Sequence, residues 1–365
     1  MKLLICVLMT IGHSSTGYAE GTDASPWKWA GDLRLRLQAE KNGDRETRWL
    51  ERLRVRFGVA VQVEPELKAE IRLATAKGYQ SANQNLGDNA DPGAPRRFIG
   101  LDLAYLEWSP AFFFKASGGR IPQLHYRPGA SQLLLDENIA LEGAGLVLDW
   151  KGDDGLRAVL NAGSVILREN YDSYYSMANS NNNLNWTQLR LEWTSGRYRA
   201  LIGGGFFNYT SLQGKNFADL AAGAAPRGNS EDPAGVVKYP YLARDYFVEG
   251  GVPVGPVDLG LFAQRVINNE APQQNAAWWV GINLGQKSWD SQIAYSETQP
   301  DAIPAYLTWG DFAGGTTDAR GMVYSFRWKF RPGLSLKLSQ FINRTQASMA
   351  NKEYNRTHID FSASF

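Results

Sequence analysis

Arg34, Arg36, Arg52, Arg54, Arg56, Lys68 and Arg72 are the residues of this 365-residue chain whose type and spacing could do chemistry. They fall at alternate positions of Asp32-Leu-Arg-Leu-Arg36 and of the run RLRVRFGVAVQVEPELKAEIRLAT at 52–75. A period of two places them on one face of adjoining β-strands. Same-face residues lie about 6.7 Å apart along a strand and neighbouring strands about 4.8 Å apart, so the cations form one patch. Asp32 and Glu70 are the only acids in phase with them there. Lining water, such a strip raises local anion concentration and biases conduction toward anions. Alternatively, the arginines solvate a wall and pair with carboxylates across it or on a nearby loop.

The opposite face of the same hairpin is apolar throughout: Leu53, Val55, Phe57, Val59, Val61 and Val63, then Leu67, Ala69, Ile71 and Leu73 after the turn Glu64-Pro65-Glu66. The charged face cannot belong to a packed interior. One face therefore sees hydrocarbon and the other water. An arginine on the lipid side costs about 2–4 kcal/mol near the bilayer midplane, which assigns the Arg face to the inside.

The alternation recurs to the end of the chain and predicts sixteen strands, near 29–39, 50–63, 67–77, 99–108, 111–121, 139–150, 156–168, 185–195, 197–208, 241–252, 256–267, 276–287, 288–299, 319–330, 333–345 and 354–365. Short turns such as Ser195-Gly196 and Arg331-Pro332-Gly333 alternate with long polar loops near 40–49, 78–98, 122–138, 169–184, 209–240, 268–275, 300–318 and 346–353. That asymmetry is expected of an all-β, antiparallel, up-and-down transmembrane barrel with short periplasmic turns and long extracellular loops. A soluble Greek-key sandwich has no reason to alternate so. The loop at 122–138 carries Arg127, Asp136 and Glu137, the expected constriction residues, whose carboxylates would face the Arg strip and set up a transverse field.

Composition agrees. The chain is 44% hydrophobic with 12 Trp, 16 Tyr and 16 Phe, yet past its start no window is long and apolar enough for a spanning helix. Residues 1–19, with Lys2, an apolar run Leu3–Ile11 and Gly17-Tyr18-Ala19, read as a secretory signal peptide, leaving 20–365 as one outer-membrane barrel domain. Cys6 is the single cysteine and leaves with that segment, so no disulfide or thiolate site is expected. Basic and acidic residues nearly balance, which predicts no nucleic-acid partner. Neither a metal spacing nor a cofactor motif appears. A lipid-modifying enzyme would need Ser and His on the lipid wall; His358 is in phase with Arg356 and Asp360 inside, and His125 is in a loop.

Trp108, Trp150, Trp193 and Phe330 before short turns, and Phe207, Tyr209, Tyr241, Trp278 and Trp279 near long loops, are expected to form two aromatic girdles. The last strand, 354–365, must pair with 29–39 to leave no open edge in lipid.

With these residues in view, the chain resembles the bacterial putative-porin family, distantly similar to sixteen-stranded general and phosphate-selective porins. The likeness is carried by Asp32–Arg36, the hairpin at 52–75, Ser81–Gly87, Ile99–Trp108, Gly119-Arg-Ile-Pro122 and the terminal Phe365. It implies a water-filled pore for small hydrophilic solutes and ions, homotrimeric, in the outer membrane and in contact with its lipid. Phe365 resembles the signal read by the barrel assembly machinery. The segment after Pro122 departs from the acidic loop signature of general porins. A second class of function, a loop-plugged barrel serving as a surface adhesin or recognition protein, predicts negligible conductance instead.

Overall fold

The computed structural model describes residues 25–76, 81–87, 93, 96–172, 177–178, 181–220 and 224–365; the expected leader at 1–19 lies outside them. Alternation becomes sixteen long strands: β1 (Trp27–Asn42), β2 (Arg48–Glu64), β3 (Leu67–Thr75), β4 (Ile99–Ala111), β5 (Phe114–Ile121), β6 (Leu141–Lys151), β7 (Leu156–Arg168), β8 (Asn182–Ser195), β9 (Tyr198–Tyr209), β10 (Tyr241–Val254), β11 (Val257–Asn268), β12 (Ala276–Gln286), β13 (Trp289–Thr298), β14 (Ala319–Arg331), β15 (Leu334–Thr345) and β16 (Lys352–Ser364). Each pairs antiparallel with its sequence neighbours. β1 also pairs β16, from Asp32 opposite Ser364 to Asn42 opposite Tyr354, and this seam closes the barrel. Closure satisfies every edge, the condition for strands in hydrocarbon.

Facing follows the predicted parity. Leu33 and Leu35 are each 37% exposed on the outside, while Arg34 and Arg36 keep 9% and 6% inside. Tight turns join the strands at one end. In the turn Pro332-Gly333, Gly333 takes φ +78° and a Cβ there would run into the Ser364 carbonyl, so proline and glycine divide the two turn positions as their backbones dictate. Phe365 ends the seam: its backbone exchanges hydrogen bonds of 3.0 and 3.1 Å with Gly31, and its ring lies over Gly31 toward Phe57.

The turn-end girdle forms as expected, with Trp108, Trp150, Trp193 and Phe330 all exposed outward beside Trp27, Trp29 and Trp328. The loop-end girdle differs. Phe207, Tyr209, Tyr241 and Trp279 are buried inside the barrel, and of that group only Trp278 faces out. The reason is that two loops turn inward at this level and make a dry centre. Leu133, Leu134 and Leu135 from one, and Ile303, Tyr306, Leu307 and Phe312 from the other, join those aromatics in a single apolar cluster.

Candidate pore and its constriction

The segment between β5 and β6 enters the barrel and reaches the far wall. At its tip Gly129, with φ +53°, lies flat against the Phe262 ring. Its N–H donates to Glu249 Oε2 at 3.0 Å, and its carbonyl accepts from Trp279 Nε1 at 3.2 Å and Gln292 Nε2 at 2.9 Å. Beside it Tyr126 is held by both ends. Its backbone N–H donates to Gln188 Oε1 at 2.6 Å and its hydroxyl to Glu249 at 2.8 Å, while Arg190 stacks 4.8 Å from its ring centroid. Gln188 in turn donates to Asp245, which accepts from Gln264 as well, a fully buried polar anchor in the wall of β8, β10 and β11. Sequence reasoning missed this anchor. Its signal was three polar residues, Gln188, Asp245 and Gln264, at inward positions next to inward aromatic residues, Trp186, Phe247 and Phe262.

A second loop, 299–318, also enters and fastens the first. Leu307 O accepts from the Asp136 N–H at 2.8 Å, Thr308 Oγ1 donates to Leu133 O at 3.2 Å, and Gly310 N–H donates to Asp136 Oδ2 at 2.8 Å. The 210–240 loop packs above, where Asn229 donates to the carbonyls of Pro300 and Ile303 and accepts from Ala305 N–H. On the other side Asp311 reaches the β1 and β16 wall, 3.2 Å from Arg36 and 3.3 Å from Arg356, with His358 at 3.9 Å. Burial alone would raise the Asp311 carboxyl, but Arg36, His358, Arg356 and Arg52 together hold it well below the usual carboxylate range.

All seven cations of the strip face the interior, and five of them are ion-paired. Arg36 grips Asp360 at 2.6 Å, Arg54 and Arg56 share Asp32 at 2.7 and 2.6 Å, Arg72 meets Asp102 at 2.7 Å, and Lys68 lies 3.3 Å from Glu70. Arg34 and Arg52 form no ion pair among the described residues; Arg34 donates to Asn83, and Arg52 to Gln38 at 3.1 Å and the Asn83 carbonyl at 3.3 Å. Inward-facing Lys337 of β15 is a further cation without an ion pair there. Pairing therefore accounts for much of the strip, and a smaller unpaired group remains.

Of the three loop residues, Glu137 stays 45% exposed at its side chain, within electrostatic reach of Arg54 and Lys337, and 3.7 Å from Arg127. Asp136 turns the other way, into the junction between the two loops, where Asn138 and Gly310 hydrogen-bond it and burial raises its carboxyl. His125 is buried against Phe207, and burial, with Arg127 adding, brings it down to about 3. Exposure divides the interior in two. Arg56, Lys68 and Arg72 retain 26–32% of their side-chain surface along β2 and β3, whereas Asn161, Asp245, Val266 and Ala277 on β7 to β12 retain none. Open space thus runs beside the charged wall, and the loops fill the rest.

A family model described as putative porin matches residues 20–232. The chain belongs to the putative porin family. Solved structures agree on the fold of this porin. Pseudomonas putida OprB at high pH superposes with a TM-score of 0.59 at 9% identity, covering 93% of this chain and 94% of that one. Salmonella typhi OmpF, solved with daunomycin, gives 0.53 at 12%, covering 93% and 97%. The trimer form of Vibrio cholerae OmpT gives 0.50 at 12%, covering 94% and 100%. No curated protein matches. The porin is an outer-membrane β-barrel.

Proposed function

We propose that this porin passes small hydrophilic solutes and ions by passive diffusion, with a mild preference for anions. The observation that carries this reading is Glu137, exposed on the edge of an inserted loop and within electrostatic reach of Arg54 and Lys337 on the barrel wall. Opposite charges across a narrow passage orient water and favour small polar solutes. Arg34, Arg52 and Lys337 leave an excess of unpaired cations beside it, which supports the anion preference. The putative porin family and the barrel fold support a diffusion channel over an enzyme. By the same reading, 1–19 is a cleaved leader and Phe365 serves assembly. The trimer form of the Vibrio cholerae structure supports a homotrimer.

Conductance of the purified protein in planar bilayers tests the reading. Discrete steps with a reversal potential on the anion side are expected. Absence of steps would instead favour the plugged-barrel reading, to which the two inserted loops lend support.

A further inference from the structure

Arginines also stand on the outer wall, where lipid or a neighbour must meet them. Arg265, Trp278, Glu297, Arg320, Arg344 and Glu353 are direct cross-strand partners in one unbroken row over β11 to β16, all facing outward. Arg244 joins them one strand earlier, over the Phe206 ring. The two acids of the row are already engaged: Tyr295 donates to Glu297 at 2.6 Å, and Asn355 donates to Glu353. Arg320 and Arg344 face each other across one strand pair, and neither guanidinium makes an ion pair or hydrogen bond among the described residues. Glu297 and Glu353 stand across from Arg320 and Arg344 on their other sides without forming an ion pair. The two guanidiniums therefore still face each other as like charges, an arrangement that an anion between them would relieve.

Their depth identifies that anion. From Arg320 down β14 the outward residues run Met322, Tyr324, Phe326, Trp328 and Phe330, and the last two belong to the turn-end girdle. At about 3.3 Å per residue and a strand tilt of 35–45°, Arg320 stands roughly 25 Å above Phe330, the height of the apolar band of such barrels. The row therefore lies where outer-leaflet headgroups begin. Between Arg320 and Arg344 the surface is concave, about 400 Å³, with Tyr295, Asn355 and the Glu353 carboxylate at its sides and half-exposed Ile342 beneath.

We propose that this concavity binds the phosphorylated headgroup of an outer-leaflet glycolipid, one phosphate bridging Arg320 and Arg344 while its acyl chains descend over Ile342 and Met322. Planar guanidinium groups match phosphate oxygens two at a time, and here two such groups converge. A phosphate free in solution would gain nothing from the apolar surface below. The inference rests on the outer-membrane placement of the barrel and not on its conductance.

The test uses the full-length barrel in mild detergent with a bis-phosphorylated glucosamine-disaccharide lipid as probe and its dephosphorylated form as control. Retention measured by native mass spectrometry is expected to be on the order of tenfold stronger for the phosphorylated form. R320Q/R344Q is expected to abolish that difference while leaving conductance unchanged. Equal retention of the two lipids by the unaltered protein would overturn the proposal, and this arm holds even where the double variant fails to fold. So would displacement of the lipid by millimolar inorganic phosphate, which would mark a plain phosphate site, or a change of oligomeric state in R320Q/R344Q, which would mark a subunit contact.

Discussion

Arg36 Nη1 lies 3.2 Å from Asp311 Oδ2, joining the first strand of the barrel to a loop that begins more than 250 residues later. Arg36 is nearly buried, and Asp311 keeps about a quarter of its side-chain surface. Asp311→Ala should therefore cost on the order of 2–3 kcal/mol, below the value for a wholly buried pair. It should also loosen 299–318, read as faster chymotryptic cleavage at Tyr306 or Trp309. The lowered Asp311 carboxyl sets the sign of the pH effect. Its contribution is complete above the unfolded value of about 3.9 and is lost only as pH falls through the lower folded value. At pH 4 the loop should remain as protected as at pH 7.

Glu137→Gln removes the one carboxylate that the loop edge presents to Arg54 and Lys337. The anion-to-cation permeability ratio should rise about twofold, measured as a reversal potential in a KCl gradient. Arg54→Ala should lower it, because Asp32 then neutralises Arg56 alone and the trio goes from a net charge of about +1 to zero. Arg34→Ala should lower it with little loss of stability, since Arg34 makes a hydrogen bond to Asn83 and no ion pair among the described residues.

Acid sensitivity should come from His125. Buried neutral, with its ring brought down to about 3, it takes up a proton more readily in the unfolded chain. Stability should fall as pH drops from about 6.5 toward 3, by a few kcal/mol at most. Asp136, raised by burial, opposes this by losing its unfavourable charge as pH falls. His125→Gln isolates the first effect. Its thermal midpoint should change less between pH 7 and pH 4.5 than that of the unaltered barrel.

The wall was legible because lipid outside and water inside impose a period of two, and Leu33, Arg34, Leu35 and Arg36 obey it without exception. The girdle expectation failed for the loop-end aromatics, although parity held. In Phe206-Phe207 and Trp278-Trp279 one ring must face each way, and the inward ring finds an apolar partner only because loops come inside. That entry had a local signal, the apolar Ala302-Ile-Pro-Ala-Tyr-Leu307 in a segment expected to be a polar external loop. Partners of the Arg strip were harder to read. Asp102 and Asp311 meet Arg72 and Arg36 only through folded geometry, one at a strand irregularity and the other on an inserted loop. Asp360 could be anticipated, since it is in phase on the strand that must close against β1.

Gly129→Ala tests whether the loop tip fixes the constriction. A Cβ at Gly129 would lie 2.5 Å from the Phe262 ring, and φ +53° is a conformation alanine adopts at a cost of about 1–2 kcal/mol. Phe262 cannot retreat easily, because it stacks on Trp279 at 5.5 Å. The tip must then lift and lengthen the bonds from Trp279 and Gln292 to the Gly129 carbonyl. Destabilisation of about 2–4 kcal/mol is expected, combining overpacking with backbone strain. Single-channel conductance should change as well, since Glu137 sits on the same loop. Phe262→Ala alone should also destabilise, by leaving a cavity under Trp279. In the double variant the new methyl occupies part of that cavity. Its loss should fall short of the sum of the single losses by 1 kcal/mol or more, while the strain of the left-handed backbone remains. Additive losses in urea unfolding would mean that Phe262 does not position the tip, and that the hydrogen bonds to Glu249 and from Trp279 and Gln292 hold it unaided.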